Sequence, residues 1–117
     1  MGPVSYSWYN SRRCILSRAN VTLVDYGIGN LLSIQRGLEH CEARVLITND
    51  PKKILSSERL ILPGVGAFSK AILALENLGL IDVLREFAIQ KKPLLGLCLG
   101  MQLLLDESEE FGITSGL

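Results

Sequence analysis

The sequence predicts an α/β fold, an open parallel sheet doubly wound with helices on both faces. Three observations predict it. Short apolar runs rich in Val, Ile and Leu recur at Val21–Tyr26, Arg44–Ile47, Leu60–Leu62 and Pro93–Leu97, each too short for a helix. Segments of helical period lie between them, and strand–helix alternation is the pattern of parallel strands joined by crossover helices. Glycines cluster where runs end, at Tyr26-Gly27, Pro63-Gly64 and around Cys98-Leu99. In such sheets the carboxyl ends of the strands share one rim, and ligands bind there.

Residues 1–19 stand apart from this pattern. They carry Arg12, Arg13 and Arg18, four serines, Trp8 and Tyr9, and no acidic residue. That composition is similar to an organellar transit peptide, and an extension from a misplaced start codon accounts for it equally well. Either way the stretch is expected to be disordered and outside the fold, which is assigned to 20–117. No apolar stretch long enough for a secretory signal is present, and Tyr6 stands where a myristoylation pattern needs Ser or Thr.

The first strand, Val21 to Tyr26, is closed by Gly27-Ile28-Gly29. Asn30 is suited to cap a helix from about 31 to 40, whose apolar face is marked by Leu31, Leu32, Ile34, Leu38 and Cys41. Arg44 to Ile47 makes the second strand, and Asn49-Asp50-Pro51 is turn chemistry leading into a brief helix at 52–55. Leu60-Ile61-Leu62 is the third strand, halted by Pro63. A helical pattern runs from Phe68 to Gln90 with a break near Gly79. Pro93 to Leu97 is the fourth strand, and Leu99 to Asp106 opens the next helix.

The expected sheet is flavodoxin-like, with about four strands in the order 2-1-3-4. That order leaves the fourth strand at an edge, although Leu94-Leu95-Gly96-Leu97 is apolar on both faces as an interior strand should be. The sheet is therefore expected to be incomplete, the amino-terminal half of a larger domain. Composition excludes several partners. Twelve basic and twelve acidic residues give no net charge, so nothing favours nucleic acid or an anionic membrane. No apolar run spans a bilayer. Three cysteines, Cys14, Cys41 and Cys98, form neither a disulfide framework nor a metal-ligand spacing, so a reducing, cytoplasmic setting is expected, with no metal and no cofactor. A plastid is the alternative if residues 1–19 are a transit peptide.

The stretch Pro93–Leu105 carries the chemistry. Gly96-Leu97-Cys98-Leu99-Gly100 is a G-x-C-x-G at the junction of strand and helix, the nucleophile-elbow pattern with cysteine in place of serine. A nucleophile on so sharp a turn crowds the positions two before and two after it, and glycine suits both. The helix behind it offers free N–H groups to a developing oxyanion. The plainer account, a small apolar filler in a core strand, does not explain both flanking glycines.

Pro63-Gly64-Val65-Gly66 offers a second set of backbone donors on the same rim. Gly27-Ile28-Gly29-Asn30 fails as a dinucleotide fingerprint because Leu32 stands at the third glycine and no acidic residue ends the second strand. The only histidine, His40, lies at the far end of the first helix, about 15 Å from the rim at 1.5 Å per residue, too far to serve Cys98 as a base. The acidic run Glu107-Ser108-Glu109-Glu110 reads as a solvated cluster. A cysteine hydrolase needs a proton acceptor, and none is apparent.

With Val24–Leu31, Leu62–Phe68 and Gly96–Gln102 in order, the chain from Asn20 onward resembles the class I (triad) glutamine amidotransferases. Within them it is most similar to the branch serving histidine biosynthesis, over about the first half of that subunit. The resemblance implies that Cys98 is the nucleophile attacking the side-chain amide of glutamine, giving ammonia and a γ-glutamyl thioester. It implies an oxyanion hole from Val65, Gly66 and Leu99, with the Val65-Gly66 segment reorienting to complete it. Gly64, Gly66 and Gln102 are implied to contact glutamine. Tyr26, Gly27 and Asn30 are implied to face a (β/α)₈-barrel cyclase subunit in a heterodimer. The family's triad histidine and glutamate have no counterpart here, which leaves open a catalytically silent remnant. A paralogous branch in surface-polysaccharide sugar biosynthesis and a different cysteine hydrolase also stay open.

Overall fold

A computed structural model of the chain describes residues 19–104, together with the backbone of 107–108 and 114–115. Strands β1 (Asn20–Val24), β2 (Arg44–Thr48), β3 (Leu60–Leu62) and β4 (Leu94–Gly96) form one parallel sheet in the order β2-β1-β3-β4. The expected fold class and strand order are therefore observed. Helices α1 (Leu31–His40), α2 (Pro51–Leu55), α3 (Phe68–Asn77), α4 (Ile81–Ile89) and α5 (Leu99–Leu103) make the connections. A two-stranded antiparallel pair follows, β5 (Glu107–Ser108) with β6 (Thr114–Ser115). Glu107 and Ser108, read from sequence as part of a solvated cluster, thus belong to a strand. The disorder expected for the amino-terminal extension lies outside the described residues, as do Asp106, Glu109 and Glu110.

Local chemistry sets the element ends as anticipated in most places. The Asn30 side chain accepts from the Ser33 N–H at 3.4 Å, capping α1. Asp50 accepts from the Lys52 N–H at 3.0 Å, with Pro51 at the first helical position of α2. The break at Gly79 is a Schellman end to α3. Gly79 takes φ 67°, its N–H reaches Glu76 O at 2.9 Å, and the Leu80 N–H reaches Leu75 O at 2.9 Å, with Leu75 and Leu80 both fully buried.

The sheet's two faces are covered unequally. On one, Val24, Leu60 and Leu62 pack with Ile54 of α2, Phe68, Ala71, Ile72 and Leu75 of α3, Leu84 and Phe87 of α4, and Leu99 and Leu103 of α5. On the other, Val21, Leu23 and Ile61 meet partly buried side chains, Leu31, Ile34 and Leu38 of α1, Ala43, Val45 and Ile47 in and beside β2, and Leu97. A buried pair of hydroxyls lies under the first face, where Ser57 Oγ donates to Thr22 Oγ1 at 2.6 Å.

Three expectations need correction. Leu32 and Cys41 are exposed rather than on the apolar face of α1, because Leu31, Ile34 and Leu38 already define the stripe that meets the sheet. β1 stops at Val24, since the Asp25 carboxylate accepts the Gly27 N–H at 3.2 Å and turns the chain, although the Asp25 N–H still reaches Thr48 O at 3.0 Å. α5 ends at Leu103, short of Asp106. The edge position of β4 is as expected, and Leu95, in register with Ile61, is 54% exposed. Among the described residues no helix is long and apolar enough to cross a membrane.

Candidate active site

The site is built where β3 and β4 end side by side. The Leu97 N–H donates to Leu62 O at 3.0 Å, carrying the parallel pairing one residue past β4 before the chain turns. Cys98 makes the turn at φ 54° and ψ −122°, a conformation that L-residues avoid and that persists only where packing imposes it. The flanking glycines show what imposes it. A Cβ at Gly100 would lie 1.9 Å from Leu62 O, and one at Gly96 would lie 2.6 Å from Gly100 O and from the Met101 backbone. The first turn of α5 is thereby pressed against the end of β3, and Cys98 is pushed outward and exposed.

The loop after β3 completes the concavity. Pro63 and Gly64 are buried, whereas Val65 is 53% exposed and Gly66 turns at φ 86°. A Cβ at Gly64 would come within 2.8 Å of Tyr26 Oη, 2.9 Å of Gly100 N and 3.0 Å of Leu99 Cβ. Gly64, Val65, Gly66, Cys98, Leu99, Met101 and Gln102 line one open cavity of about 450 Å³. The residues implied for nucleophile, hole and substrate contact therefore meet in a single place. Met101 is the one the sequence reading missed. It follows Cys98 by three positions in the first helical turn, a spacing that puts both on one side of a helix.

The Leu99 N–H is already engaged, donating to Gly64 O at 3.2 Å. The amide that the resemblance assigns to the oxyanion hole thus points at a carbonyl of the facing loop.

Tyr26 is only 3% exposed, and its hydroxyl donates to Pro63 O. Burial raises its pKa from 10.0 to about 12, so the donor proton is present at all ordinary pH. Tyr26 is thus buried, whereas Gly27 and Asn30, grouped with it in the sequence reading, are exposed. Gly29, at φ 130°, packs against Pro63, where a Cβ would sit 3.3 Å from the ring. His40 is exposed at the carboxyl end of α1, the end away from the rim. No cluster of His, Cys, Asp and Glu that could hold a metal occurs among the described residues.

A family model described as glutamine amidotransferase class-I matches residues 22–112. The chain belongs to the class-I glutamine amidotransferase family. Its similar relatives include "Imidazole glycerol phosphate synthase subunit HisH 1" of Legionella pneumophila (strain Paris), 46% identical over 99 residues, covering 85% of this chain and 46% of the relative. Subunit HisH of Sulfurimonas denitrificans is 48% identical over 97 residues, covering 83% and 47%. Subunit HisH of Bacillus cereus (strain AH187) is 47% identical over 97 residues, covering 83% and 46%. The chain spans about half the length of the curated relatives it matches.

Proposed function

We propose that this chain carries the nucleophile and the oxyanion-binding backbone of a glutaminase, acting as the ammonia-supplying subunit of an imidazole glycerol phosphate synthase. The observation that carries the reading is Cys98 held outward at φ 54° beside a Leu99 N–H whose acceptor, Gly64 O, belongs to the facing loop. The histidine-pathway relatives, alike at 46–48% identity, favour this branch over the surface-polysaccharide one.

In the proposed reaction the Cys98 sulfur attacks the side-chain amide carbon of glutamine. The carbonyl oxygen takes up negative charge, which the Leu99 and Val65 N–H groups receive once the Gly64–Val65 peptide has rotated. The C–N bond breaks, the nitrogen leaves as ammonia after taking a proton, and water cleaves the γ-glutamyl thioester to glutamate. Gly64, Gly66 and Gln102 flank the substrate. Gly27 and Asn30 face a (β/α)₈-barrel cyclase subunit that receives the ammonia. The setting is cytoplasmic, in keeping with Cys41 and Cys98 as free thiols. The sole histidine lies at the carboxyl end of α1, away from the rim, so turnover depends on a base that this chain does not supply.

Ammonia release from glutamine, assayed for the purified 117-residue chain with and without a barrel cyclase, tests this reading. The expected result is no sustained release by the chain alone, with Cys98 still alkylated by a glutamine-mimicking electrophile. Sustained turnover by the chain alone would refute the dependence on an outside base. Consumption of simple esters without labelling of Cys98 by the glutamine mimic would favour a different hydrolase.

A further inference from the structure

We infer that Tyr26 is a positioning residue for the oxyanion loop, its hydroxyl fixing the Pro63–Gly64 peptide so that only the next peptide, Gly64–Val65, is free to turn. This rests on the reading of Cys98 and Leu99 given above and assigns a role to a residue outside it.

Two contacts support the assignment. The Tyr26 hydroxyl donates to Pro63 O, and the same oxygen lies 2.8 Å from where a Gly64 Cβ would stand, so the phenol end covers the Gly64 α-carbon. The next carbonyl along, Gly64 O, is the one that holds the Leu99 N–H at 3.2 Å. The Pro63 and Gly64 carbonyls thus have separate partners, Tyr26 for the first and Leu99 for the second. Releasing Leu99 needs rotation about the Gly64 Cα–C and Val65 N–Cα bonds. That rotation is well defined only if the Pro63–Gly64 peptide stays in place, and Tyr26 is what holds it there.

The position of Tyr26 gives the contact a second consequence. It directly precedes Gly27, which is exposed, and Gly29 packs on Pro63 itself. Tyr26 and Gly29, on either side of the Gly27-Ile28 dipeptide, thus both touch Pro63. The oxyanion loop is mechanically tied to the surface turn, across 37 positions of sequence.

The test is residue-resolved amide hydrogen exchange on the full 117-residue chain, comparing wild type with Tyr26→Phe. The Leu97 N–H, bonded to Leu62 O one residue before the turn, is the internal reference. If Tyr26 positions the loop, Leu99 exchange accelerates about tenfold relative to Leu97 in the variant, the change a lost hydrogen bond of ordinary strength would give. If Tyr26 only adds general stability, both amides accelerate together and the inference fails. Should Tyr26→Phe not fold, uniform 3-fluorotyrosine replaces it, since a more acidic hydroxyl is a stronger donor. Leu99 exchange should then slow relative to Leu97, and an unchanged ratio would overturn the inference. Alkylation of Cys98 by a glutamine-derived chloromethyl ketone separates the two readings. A wild type that resists the reagent contradicts the glutaminase function, while the exchange ratio still decides the role of Tyr26.

Discussion

The two flanks of β4 differ sharply. At its carboxyl end nearly every backbone atom is committed: Leu97 to Leu62, Leu99 to Gly64, and Gly96 and Gly100 pressed so closely on their neighbours that neither has room for a methyl group. Along its outer side no strand pairs with it among the described residues, and Leu95 is 54% exposed. The contrast shows which contacts make the nucleophile turn. The strained cysteine is a product of β3, β4 and the first turn of α5, all within residues 60–103, and needs nothing on the open side of β4.

The largest expected effect comes from the crowded flank. Gly100→Ala would drive a methyl into Leu62 O and should destabilise the chain by more than about 4 kcal/mol, measured by denaturant unfolding. Gly37→Ala is the contrast, since nothing lies within 4 Å of its added Cβ in the middle of α1. It should stabilise by about 0.5–1 kcal/mol. Equal losses from both would mean that the close approach of α5 to β3 is not what shapes the turn.

Next in size is the pH dependence of Tyr26. In the fold it keeps its proton to about pH 12, whereas its ordinary pKa is 10.0. The stabilisation it contributes is whole below pH 10 and is lost as pH rises through 12, because the unfolded chain releases the proton first. The stability difference between wild type and Tyr26→Phe should therefore shrink by about 2–3 kcal/mol across that window. A difference that stays flat in paired denaturant titrations from pH 9 to 12 would mean that the phenol is solvated.

Relief of strain at the turn is smaller. Cys98→Gly should raise stability by about 1 kcal/mol, and Cys41→Gly, at φ −82°, should lower it by a similar amount. Opposite signs distinguish a strained cysteine from an ordinary one in the same chain. The smallest effect on stability is expected from Leu95→Lys, within about 0.5 kcal/mol. Its consequence is for association. A charge on the open flank should shift the chain towards monomer in sedimentation, and self-association that ignores this change would move the sticky surface elsewhere.

Much of this contrast was legible in the sequence, for identifiable reasons. The G-x-C-x-G pattern, strand–helix alternation and apolar fourth strand are local signals, and the sheet order, the turn at Cys98 and the edge position of β4 followed from them. Leu32 and Cys41 misled because a helix stripe read without its sheet admits more apolar positions than the sheet can cover. The support given by Tyr26 was hidden for a different reason. Its acceptor, Pro63 O, is 37 positions away, and no local pattern encodes a hydrogen bond to a loop carbonyl across the sheet. Tyr26 was grouped with its exposed neighbours Gly27 and Asn30, although it is buried in the same core cluster as Val24.

The most direct measurement compares two thiols in one molecule. Cys98 and Cys41 are both exposed and free, but only Cys98 sits on the turn facing the glycine loop. Mass spectrometry of the chain treated with a glutamine-derived chloromethyl ketone should find saturable modification at Cys98, suppressed by added glutamine, and none at Cys41 above the rate of a free thiol. Equal, unsaturable labelling of both cysteines, indifferent to glutamine, would contradict the account.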